Sequence, residues 1–418
     1  MSENALDRFL RYAKIDTQSQ EGKETTPSTK KQFDLANLLV KELKDMGVKD
    51  VEIDEYCYVY ASIPSNIPAN HPAYGKVPPI GFLAHVDTSP DAPGKDVKPQ
   101  VIENYQGGDI PLQGTDGKVI KVSENEPLKG LIGDTIVTSD GTTLLGADDK
   151  AGVAAIMTAA EYFMRNSDVL HGDIKIAFTP DEEIGKGTVK FDLNKFGAKY
   201  AYTIDGELPG ELNKETFSAN GATVIAEGRD IHPGNAKDIM VNSVRAIADV
   251  IARMPRDMAP ETTENYEPYI HPHSVEGTVS KSTLKILFRD FETKGLDKQK
   301  EIMEKIIEEV QELNPKAKIR LEIQEMYRNM RDELVKHPLI LDNLWEAAEK
   351  AGANPYWKPI RGGTDGSRLT EMGLPTPNIY GGGQNFHSKN EWLSVKGLNT
   401  AVETIKNLLQ IWVEKTSK

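Results

Sequence analysis

The chain has 418 residues, of which 38% are hydrophobic and 27% are charged, and this length favours two domains over one. Its 50 lysines and arginines against 64 aspartates and glutamates give a formal net charge of −14, which argues against nucleic acid and anionic membranes as partners. The single cysteine, Cys57, cannot form an internal disulfide and charges interrupt the apolar N-terminal residues, so we expect a cytoplasmic protein with neither signal peptide nor membrane span.

The first half of the chain alternates between predicted helices and strands. A helical pattern runs from residue 27, a proline, to residue 47, a glycine. Three short apolar runs predict buried strands at 80–84, 174–178 and 200–204, and an Ala-rich helix follows the first of them at 151–164. This alternation is typical of an α/β sheet, in which ligands bind at the carboxyl ends of the strands.

Residues 216–327 follow a different pattern. Their predicted elements are a strand at 222–227, a helix at 240–251, strands near 277–279 and 284–288, a helix at 302–313 and a strand at 319–323. The order β-α-β-β-α-β is that of a ferredoxin-like unit. We therefore predict an inserted α+β domain at 215–327 and an α/β domain formed by 1–214 and 328–418, whose last part contains a helix near 338–351 and a strand at 377–380.

Polar residues follow the first buried strand and precede the Ala-rich helix. His85 and Asp87 are two residues apart and point to the same side of an extended chain, so Asp87 is suited to hold the second ring nitrogen of a metal-binding His85. Alone, such a pair is more typical of a structural histidine. Asp148 and Asp149 stand at the entrance to the helix, where acidic residues often serve only as caps.

More carboxylates follow the next two strands, as Asp181, Glu182 and Glu183 in one case and Asp205 in the other. Gathered at one edge of a sheet, these groups would raise one another's pKa unless cations neutralised them, so we expect a pair of divalent metal ions. His387 adds a nitrogen ligand from a glycine-rich loop, although a loop histidine by itself is more typical of a solvent-facing residue.

The expected ligands are two histidines and several carboxylates without a usable thiol, a set that suits zinc, with cobalt or manganese as substitutes. Two metal ions about 3.5–4 Å apart share a carboxylate and a water molecule, and they polarise a carbonyl oxygen. That chemistry is amide hydrolysis. It also needs a proton acceptor, so we expect Glu182 and Glu183 to divide proton transfer and metal binding between them.

Five segments, in this order, resemble a family of di-zinc peptidases that includes carboxypeptidase G-type enzymes, aminoacylases and succinyl-diaminopimelate desuccinylase; they are FLAHVDTSP, LLGADDKAG, TPDEEIG, TIDGE and GGGQNFHSKNEW. The resemblance spans essentially the whole chain. It implies that one zinc ion is held by His85, Asp148 and Asp205. It implies that the second is held by Asp148, Glu183 and His387, with Asp148 as the bridge.

The same resemblance implies roles for residues that hold no metal. Asp87 would orient His85, and Glu182 would accept the proton. The segments TPDEEIGKG, GRDIHPGNAKDIMVN and RGGTDGSRL are similar to those of the tripeptide aminopeptidases of the family. This similarity implies the removal of the N-terminal residue from short peptides, and an aspartate at position 205 accompanies recognition of a free amino group.

The resemblance further implies that the inserted domain is a lid and dimerisation domain in a homodimer. His232 would be offered to the developing oxyanion by the neighbouring subunit, and the alternative is an ordinary turn histidine. Arg289 is expected to bind the carboxylate of the peptide, with a salt bridge to Asp290 or another local acid as the alternative. Asn220 and Arg361 are further candidates for contacts with the substrate backbone or terminus.

Other functions are consistent with parts of this pattern. A dipeptidase or an N-acyl amino acid deacylase would use the same metal ions on a different amide. A metal-stabilised binding protein without turnover is disfavoured, because Glu182 is present beside Glu183 although no ligand count requires it. A nucleotide enzyme based on the glycines at 381–383 is excluded, because the spacing of neither nucleotide-binding fingerprint is present.

Overall fold

The computed structural model describes residues 3–417, and the helices and strands below lie within that range. The helices are α1 (Ala5–Ala13), α2 (Gln32–Asp45), α3 (Ala147–Arg165), α4 (Leu193–Phe196), α5 (Ser243–Arg253), α6 (Thr293–Leu313), α7 (Arg331–Leu334), α8 (Pro338–Lys350), α9 (Asp365–Glu371) and α10 (Val395–Thr416). The strands are β1 (Asp50–Ile53), β2 (Val59–Ile63), β3 (Ile80–His85), β4 (Gln100–Ile102), β5 (Ile110–Pro111), β6 (Val119–Ile120), β7 (Ile136–Thr138), β8 (Ile174–Thr179), β9 (Tyr200–Gly206), β10 (Glu211–Asn213), β11 (Ser218–Glu227), β12 (Tyr269–Gly277), β13 (Lys281–Asp290), β14 (Lys318–Tyr327), β15 (Tyr356–Trp357), β16 (Asn378–Tyr380), β17 (Gly383–Gln384) and β18 (Trp392–Ser394). None of these helices is both long enough and apolar enough to cross a membrane.

The chain divides into two compact units. The main unit comprises residues up to 214 together with 332–358 and those from 364 onwards, and the inserted unit comprises 215–331 and 359–363. The inserted unit thus ends four residues beyond the predicted 327, and it takes up a short segment that the sequence pattern did not assign to it. The reason is a parallel bridge between Thr216 and Ile360, supported by a hydrogen bond of 3.1 Å from the Phe217 N–H to the Ile360 carbonyl oxygen.

An eight-stranded mixed sheet forms the centre of the main unit, with the strand order β1-β2-β8-β3-β9-β16-β10-β15. β3 pairs in parallel with β8 and β9, and β9 pairs in parallel with β16. The carboxyl ends of these four strands therefore meet at one edge of the sheet. All four correspond to runs that were predicted as strands, which confirms the α/β class of this unit.

Helices cover both faces of this sheet. Phe82 points to one face, where it lines a small apolar space with Ile156 of α3 and Leu409 of α10. Leu83, the next residue along β3, points to the other face and packs in a cluster that contains Leu369 of α9. Because both faces are buried, the whole of β3 is apolar up to His85, which explains why its sequence is a continuous hydrophobic run.

A second, four-stranded sheet with the order β17-β18-β7-β4 also belongs to the main unit. β17 and β18 are antiparallel neighbours, and the loop between them carries His387. β18 contains Trp392, which is fully buried in a cluster with Ile136 of β7 and Leu128. This packing anchors the loop of His387 at its far end.

The helix predicted at 27–47 is shorter in the structure, where α2 starts at Gln32. The backbone N–H and the hydroxyl group of Ser28 both donate to the carboxylate of Asp181, at 2.6 and 2.5 Å. These bonds hold the preceding residues in a turn instead of a helix. The helix stops as predicted, because Gly47 has a left-handed φ of 93°.

The inserted unit is a four-stranded antiparallel sheet with the order β12-β13-β11-β14. In chain order its elements are β11, α5, β12, β13, α6 and β14, which is the predicted β-α-β-β-α-β succession. Its core is formed by the inner sheet residues Val224, Leu284 and Phe288 with Ile247 of α5 and Met303 of α6. The ferredoxin-like α+β fold of this unit is therefore confirmed.

One strand of this unit was placed wrongly. The sequence pattern put it near 277–279, whereas β12 spans Tyr269–Gly277. Pro272 lies inside the strand, and a proline there argues against a strand because it cannot donate to the ladder. β12 accommodates it because the strand is at the edge of the sheet and because its register shifts between Pro272 and Ser274.

Candidate metal centre

Five side chains predicted to bind metal converge at the carboxyl edge of the main sheet. His85 ends β3, Asp205 lies near the end of β9, and Glu183 lies in a 3-10 turn, Glu182–Ile184, just after β8. Asp148 stands at the start of α3, where its backbone angles are not helical, so its side chain can turn towards the sheet edge. His387 completes the group from the loop between β17 and β18.

His85 is the most enclosed member, with 2% of its surface exposed. Its Nε2 atom lies 2.9 Å from Oδ1 of Asp148 and 3.5 Å from Oδ1 of Asp205. Its Nδ1 atom lies 3.1 Å from the carbonyl oxygen of Asp87 and 3.3 Å from the Asp87 carboxylate. With Nδ1 held in this way, Nε2 is directed at the two aspartates.

His387 faces the other side of Asp148. Its Nε2 atom lies 2.7 Å from Oε2 of Glu183 and 3.4 Å from Oδ2 of Asp148. Asp148 therefore presents one carboxylate oxygen to each histidine, which is the arrangement expected of a carboxylate that bridges two cations. Two groups of three side chains each have potential ligand atoms that all lie within 4.8 Å of one another inside the group. One group is His85, Asp148 and Glu183, and the other is His85, Asp149 and Asp205.

Asp149 was not predicted as a ligand, although it belongs to the second of these groups. Its Oδ2 atom accepts from the His85 backbone N–H at 3.3 Å, and its Oδ1 atom accepts from the Gly152 N–H at 3.1 Å. Burial, followed by the negative charge of Asp205, raises the pKa of Asp149 well above its usual range. Because both oxygens already accept backbone hydrogen bonds, the geometry favours a structural role in fixing the start of α3 to the end of β3.

The electrostatics of the group follow from crowded carboxylates in a largely buried site. Burial, followed by the charge of Asp148, raises the pKa of Glu183 to about 8 and that of Asp205 to about 7. Burial alone would lower the pKa of His387, but hydrogen bonds to Asp148 and Glu183 raise it to about 11. The same opposition of burial and carboxylate contacts leaves the pKa of His85 well above its usual range. The neighbouring carboxylates therefore favour positive charge at this site, which the two histidines hold as protons when no cation is bound.

The residues fit a divalent cation. Oε1 of Glu183 is buried and has no hydrogen-bond partner among the described residues, which is costly for a carboxylate oxygen unless a cation or water meets it. The donors are imidazole nitrogens and carboxylate oxygens at the same small cluster, the ligand types that zinc, cobalt and manganese accept. His85, Asp148, Asp205, Glu183 and His387 would hold such ions.

Comparison with known proteins settles the family. A family model described as "Peptidase family M20/M25/M40" matches residues 140–411, which contain four of the five converging side chains. The chain belongs to this family.

Individual members of the M20 family resemble the chain over its full length. Peptidase T of Exiguobacterium sp. is 46% identical over 417 residues, which cover 99% of each sequence. The solved structure of aminopeptidase PepT from Bacillus cereus superposes with a TM-score of 0.74 at 23% identity over 99% of each chain. The Bacillus subtilis YXEP protein, described as a dinuclear metal binding peptidase from the M20 family, gives a TM-score of 0.64 at 14% identity over 98% of each chain.

These likenesses confirm the predicted family and fold. Membership of the M20 family, together with close relatives named Peptidase T, also confirms the prediction of a metal-dependent aminopeptidase. The structural neighbours themselves are below 25% identity and bear on the fold alone.

The sequence analysis missed Glu391, which shapes the M20 site. Glu391 is 1% exposed, and its carboxylate accepts from the N–H groups of Leu145 and Gly146 at 2.7 and 2.8 Å and from that of Asp148 at 3.1 Å. It therefore fixes the backbone turn from which Asp148 projects. The only sequence signal was its position four residues after His387, in the segment HSKNEW.

Four of the predicted site residues lie in the inserted unit. His232 is exposed in a turn, where its Nδ1 atom accepts from the Gly234 N–H at 3.1 Å. Arg289 is buried, lies over the ring of Tyr327 and donates to the Phe288 carbonyl oxygen at 3.1 Å. Within residues 3–417 its guanidinium forms no ion pair with Asp290, whose carboxylate instead accepts from the Glu292 N–H at 2.8 Å.

The other two candidates in this unit already have partners. Oδ1 of Asn220 accepts from the Arg328 guanidinium at 3.0 Å. The Arg361 guanidinium donates to the carbonyl oxygens of Asn265, Glu267 and Thr263 and lies over two aromatic rings, those of Phe217 and Tyr269. These contacts favour a structural role for Arg361, and its contact with substrate stays a prediction.

Proposed function

We propose that this protein is an aminopeptidase that removes the N-terminal residue from tripeptides with the help of two divalent metal ions bound at the carboxyl edge of the main sheet. The observation that carries this proposal is the central position of Asp148, whose two carboxylate oxygens face His85 and His387 separately. A single metal ion would not require two histidines on opposite sides of one carboxylate.

The proposed ligands of one ion are His85, Asp148 and Asp205, and those of the other are Asp148, Glu183 and His387. Zinc is the proposed native metal, with cobalt and manganese as substitutes, because all of these ligands are nitrogen and oxygen donors. When bound, such a pair of ions lowers the pKa of a water molecule and polarises the carbonyl group of the scissile bond.

Glu182 is the proposed proton acceptor. Its backbone N–H donates to Oδ1 of Asp87 at 3.0 Å, and the Glu183 N–H donates to Oδ2 of the same carboxylate at 3.3 Å. Asp87 therefore fixes the turn that carries both glutamates, and its contact with Nδ1 of His85 at 3.3 Å makes it the proposed residue that orients this ring. Burial, followed by the charge of Asp205, raises the pKa of Glu182 well above its usual range, which suits a group that takes a proton from water and gives it to the leaving amine.

Contacts with the peptide would come from the inserted unit. Arg289 is the proposed partner of the peptide carboxylate, because its guanidinium is buried and, in the described part of the chain, contacts a carbonyl oxygen, a sulfur atom and a ring but no carboxylate. Asn220 is a further candidate. We further propose that the protein is a cytoplasmic homodimer in which His232 of one subunit donates to the oxyanion formed in the other.

The proposed reaction is tested with three substrates, Ala-Ala-Ala, Ala-Ala and N-acetyl-alanine, on protein that has been stripped of metal and reloaded with zinc. We expect the reloaded protein to release alanine from the N-terminus of Ala-Ala-Ala and the stripped protein to be inactive. Exclusive hydrolysis of N-acetyl-alanine would replace the proposal with a deacylase, and preferred cleavage of Ala-Ala would replace it with a dipeptidase.

A further inference from the structure

His387 is held less firmly by its surroundings than the other proposed histidine ligand. It projects from a loop with a left-handed φ of 60°, and 41% of its side chain is exposed. An exposed imidazole on a loop loses conformational freedom when it binds a metal ion, so its affinity for the metal depends on what orients the ring beforehand.

One carboxylate meets this ring on the side away from the proposed metal ligands. Oδ2 of Asp91 lies 3.1 Å from Nδ1 of His387, while Nε2 of the same ring lies 2.7 Å from Glu183. An Nδ1–H group that donates to Asp91 keeps the proton on this nitrogen, so Nε2 is the nitrogen that gives up its proton when a metal ion binds. The contact repeats the one that Asp87 makes with Nδ1 of His85.

Hydrogen bonds hold the backbone of the loop that carries Asp91. The Asp91 backbone N–H donates to Oγ of Ser89 at 3.2 Å, and the side-chain amide of Gln18 donates to the carbonyl oxygens of Ser89 and Ala92 at 2.8 and 2.7 Å. A bond of 2.9 Å from the Leu144 N–H to the Pro93 carbonyl oxygen ties the same loop to the segment that leads into α3. The carboxylate is thus presented to His387 from a fixed backbone.

We propose that Asp91 is a positioning residue that presets the imidazole of His387 for binding of the second metal ion. This inference rests on the proposed metal centre and adds a residue to it. Two aspartates of one segment, Asp87 and Asp91, then orient the two histidines, one for each ion. Asp91 is 67% exposed, and exposed ion pairs contribute little to folding, so its effect belongs to metal affinity and not to stability.

The test compares wild-type protein with Asp91→Ala and Asp91→Asn, all stripped of metal and titrated with Zn²⁺ against a competing chelator. We expect two ions in each protein, one of which binds Asp91→Ala about 10- to 100-fold more weakly than wild type while the other is unchanged. Asp91→Asn should lie between them, because its amide oxygen still accepts the Nδ1–H bond but carries no charge. Thermal unfolding of the metal-free proteins should coincide.

Glu103→Ala serves as the matched control, since it also removes one exposed carboxylate and should leave both affinities at the wild-type values. Equal affinities for both ions in wild type and Asp91→Ala would refute the role of Asp91 alone. Wild-type protein that binds no second ion would refute the proposed function, and the role of Asp91 with it.

Discussion

Asp148 shares its carboxylate between two histidines, with His85 at 2.9 Å from one oxygen and His387 at 3.4 Å from the other. Its pKa lies well below the usual range: burial would raise it, but the hydrogen bonds to His387 and His85 outweigh that effect. The residue is therefore ionised under all ordinary conditions. Glu391 fixes its backbone, so both its charge and its direction are set before any ligand arrives.

Glu182→Gln separates proton transfer from metal binding. Glutamine keeps the size of the side chain but accepts no proton, so we expect kcat for Ala-Ala-Ala to fall about 10²- to 10⁴-fold while two metal ions still bind. Steady-state kinetics and metal analysis of the same preparation check both parts. Full activity in this variant would exclude Glu182 as the proton acceptor.

Metal affinity should depend on pH with a defined sign. Glu183 and Asp205, whose pKa values are about 8 and 7, hold protons below those values and must lose them to bind a cation, and the raised pKa of His387 acts in the same direction. We therefore expect tighter Zn²⁺ binding as the pH rises from about 6 to about 9, with release of protons, in chelator competition and calorimetry. An affinity that stays constant or weakens over this range would contradict these pKa shifts.

Site residues that directly follow apolar strands could be predicted from the sequence, whereas Glu391 and Asp91 could not. His85, Glu183 and Asp205 each follow a buried apolar run. Because the carboxyl ends of parallel strands lie at one edge of a sheet, the sequence predicted that these three residues are close together. Glu391 and Asp91 act through contacts more than 240 residues away in the chain, with Asp148 and His387. No local pattern encodes such pairs.

At the level of elements, strands with both faces buried were predicted best. β3, β8 and β9 are mostly apolar and buried because helices cover both sides of the sheet. β12 was misplaced because Pro272 argues against a strand, and only its edge position with a shifted register makes it possible. The start of α2 was misplaced because Ser28 is held by Asp181, a tertiary contact that a helical pattern does not contain.

The packing of α3 against β9 should determine how tightly the metal centre binds Zn²⁺, because Asp148 lies at the start of α3 and Asp205 lies in β9. A Cβ atom at Gly152 would lie 2.2 Å from the Ile204 carbonyl oxygen and 2.5 Å from Oδ1 of Asp149. Gly152→Ala must therefore push α3 away from the sheet, and we expect a loss of about 1–3 kcal/mol in the free energy of unfolding and weaker Zn²⁺ binding.

Gly130→Ala is the control for that substitution, because nothing lies within 4 Å of its added Cβ atom. We expect it to change the free energy of unfolding by less than about 0.5 kcal/mol in urea denaturation. If Gly152→Ala matched this control in stability and metal affinity, the close packing of α3 on β9 would not be what places Asp148.

At the scale of the whole molecule, the sequence predicted an insertion of one unit into another and the order of elements in each. The change from buried parallel strands to a β-α-β-β-α-β succession made this division visible. The segment 359–363 was not assigned to the inserted unit, because its membership depends on a bridge to Thr216, 144 residues earlier in the chain.

Mixed dimers test whether His232 acts between subunits. His232→Ala and Glu182→Gln are each expected to be inactive, but a heterodimer would contain one site with an intact Glu182 that receives His232 from its partner. Random exchange should therefore restore about a quarter of the wild-type activity towards Ala-Ala-Ala. If activity stayed absent after exchange had been verified with tagged subunits, His232 would not be donated across an interface.

The most direct test of the metal centre is an anomalous diffraction map, collected at the zinc edge, from crystals equilibrated with Zn²⁺. We predict two peaks about 3.5–4 Å apart, with Asp148 between them, one beside His85 and Asp205 and the other beside Glu183 and His387. A single peak, or none at these side chains, would contradict the two-metal centre.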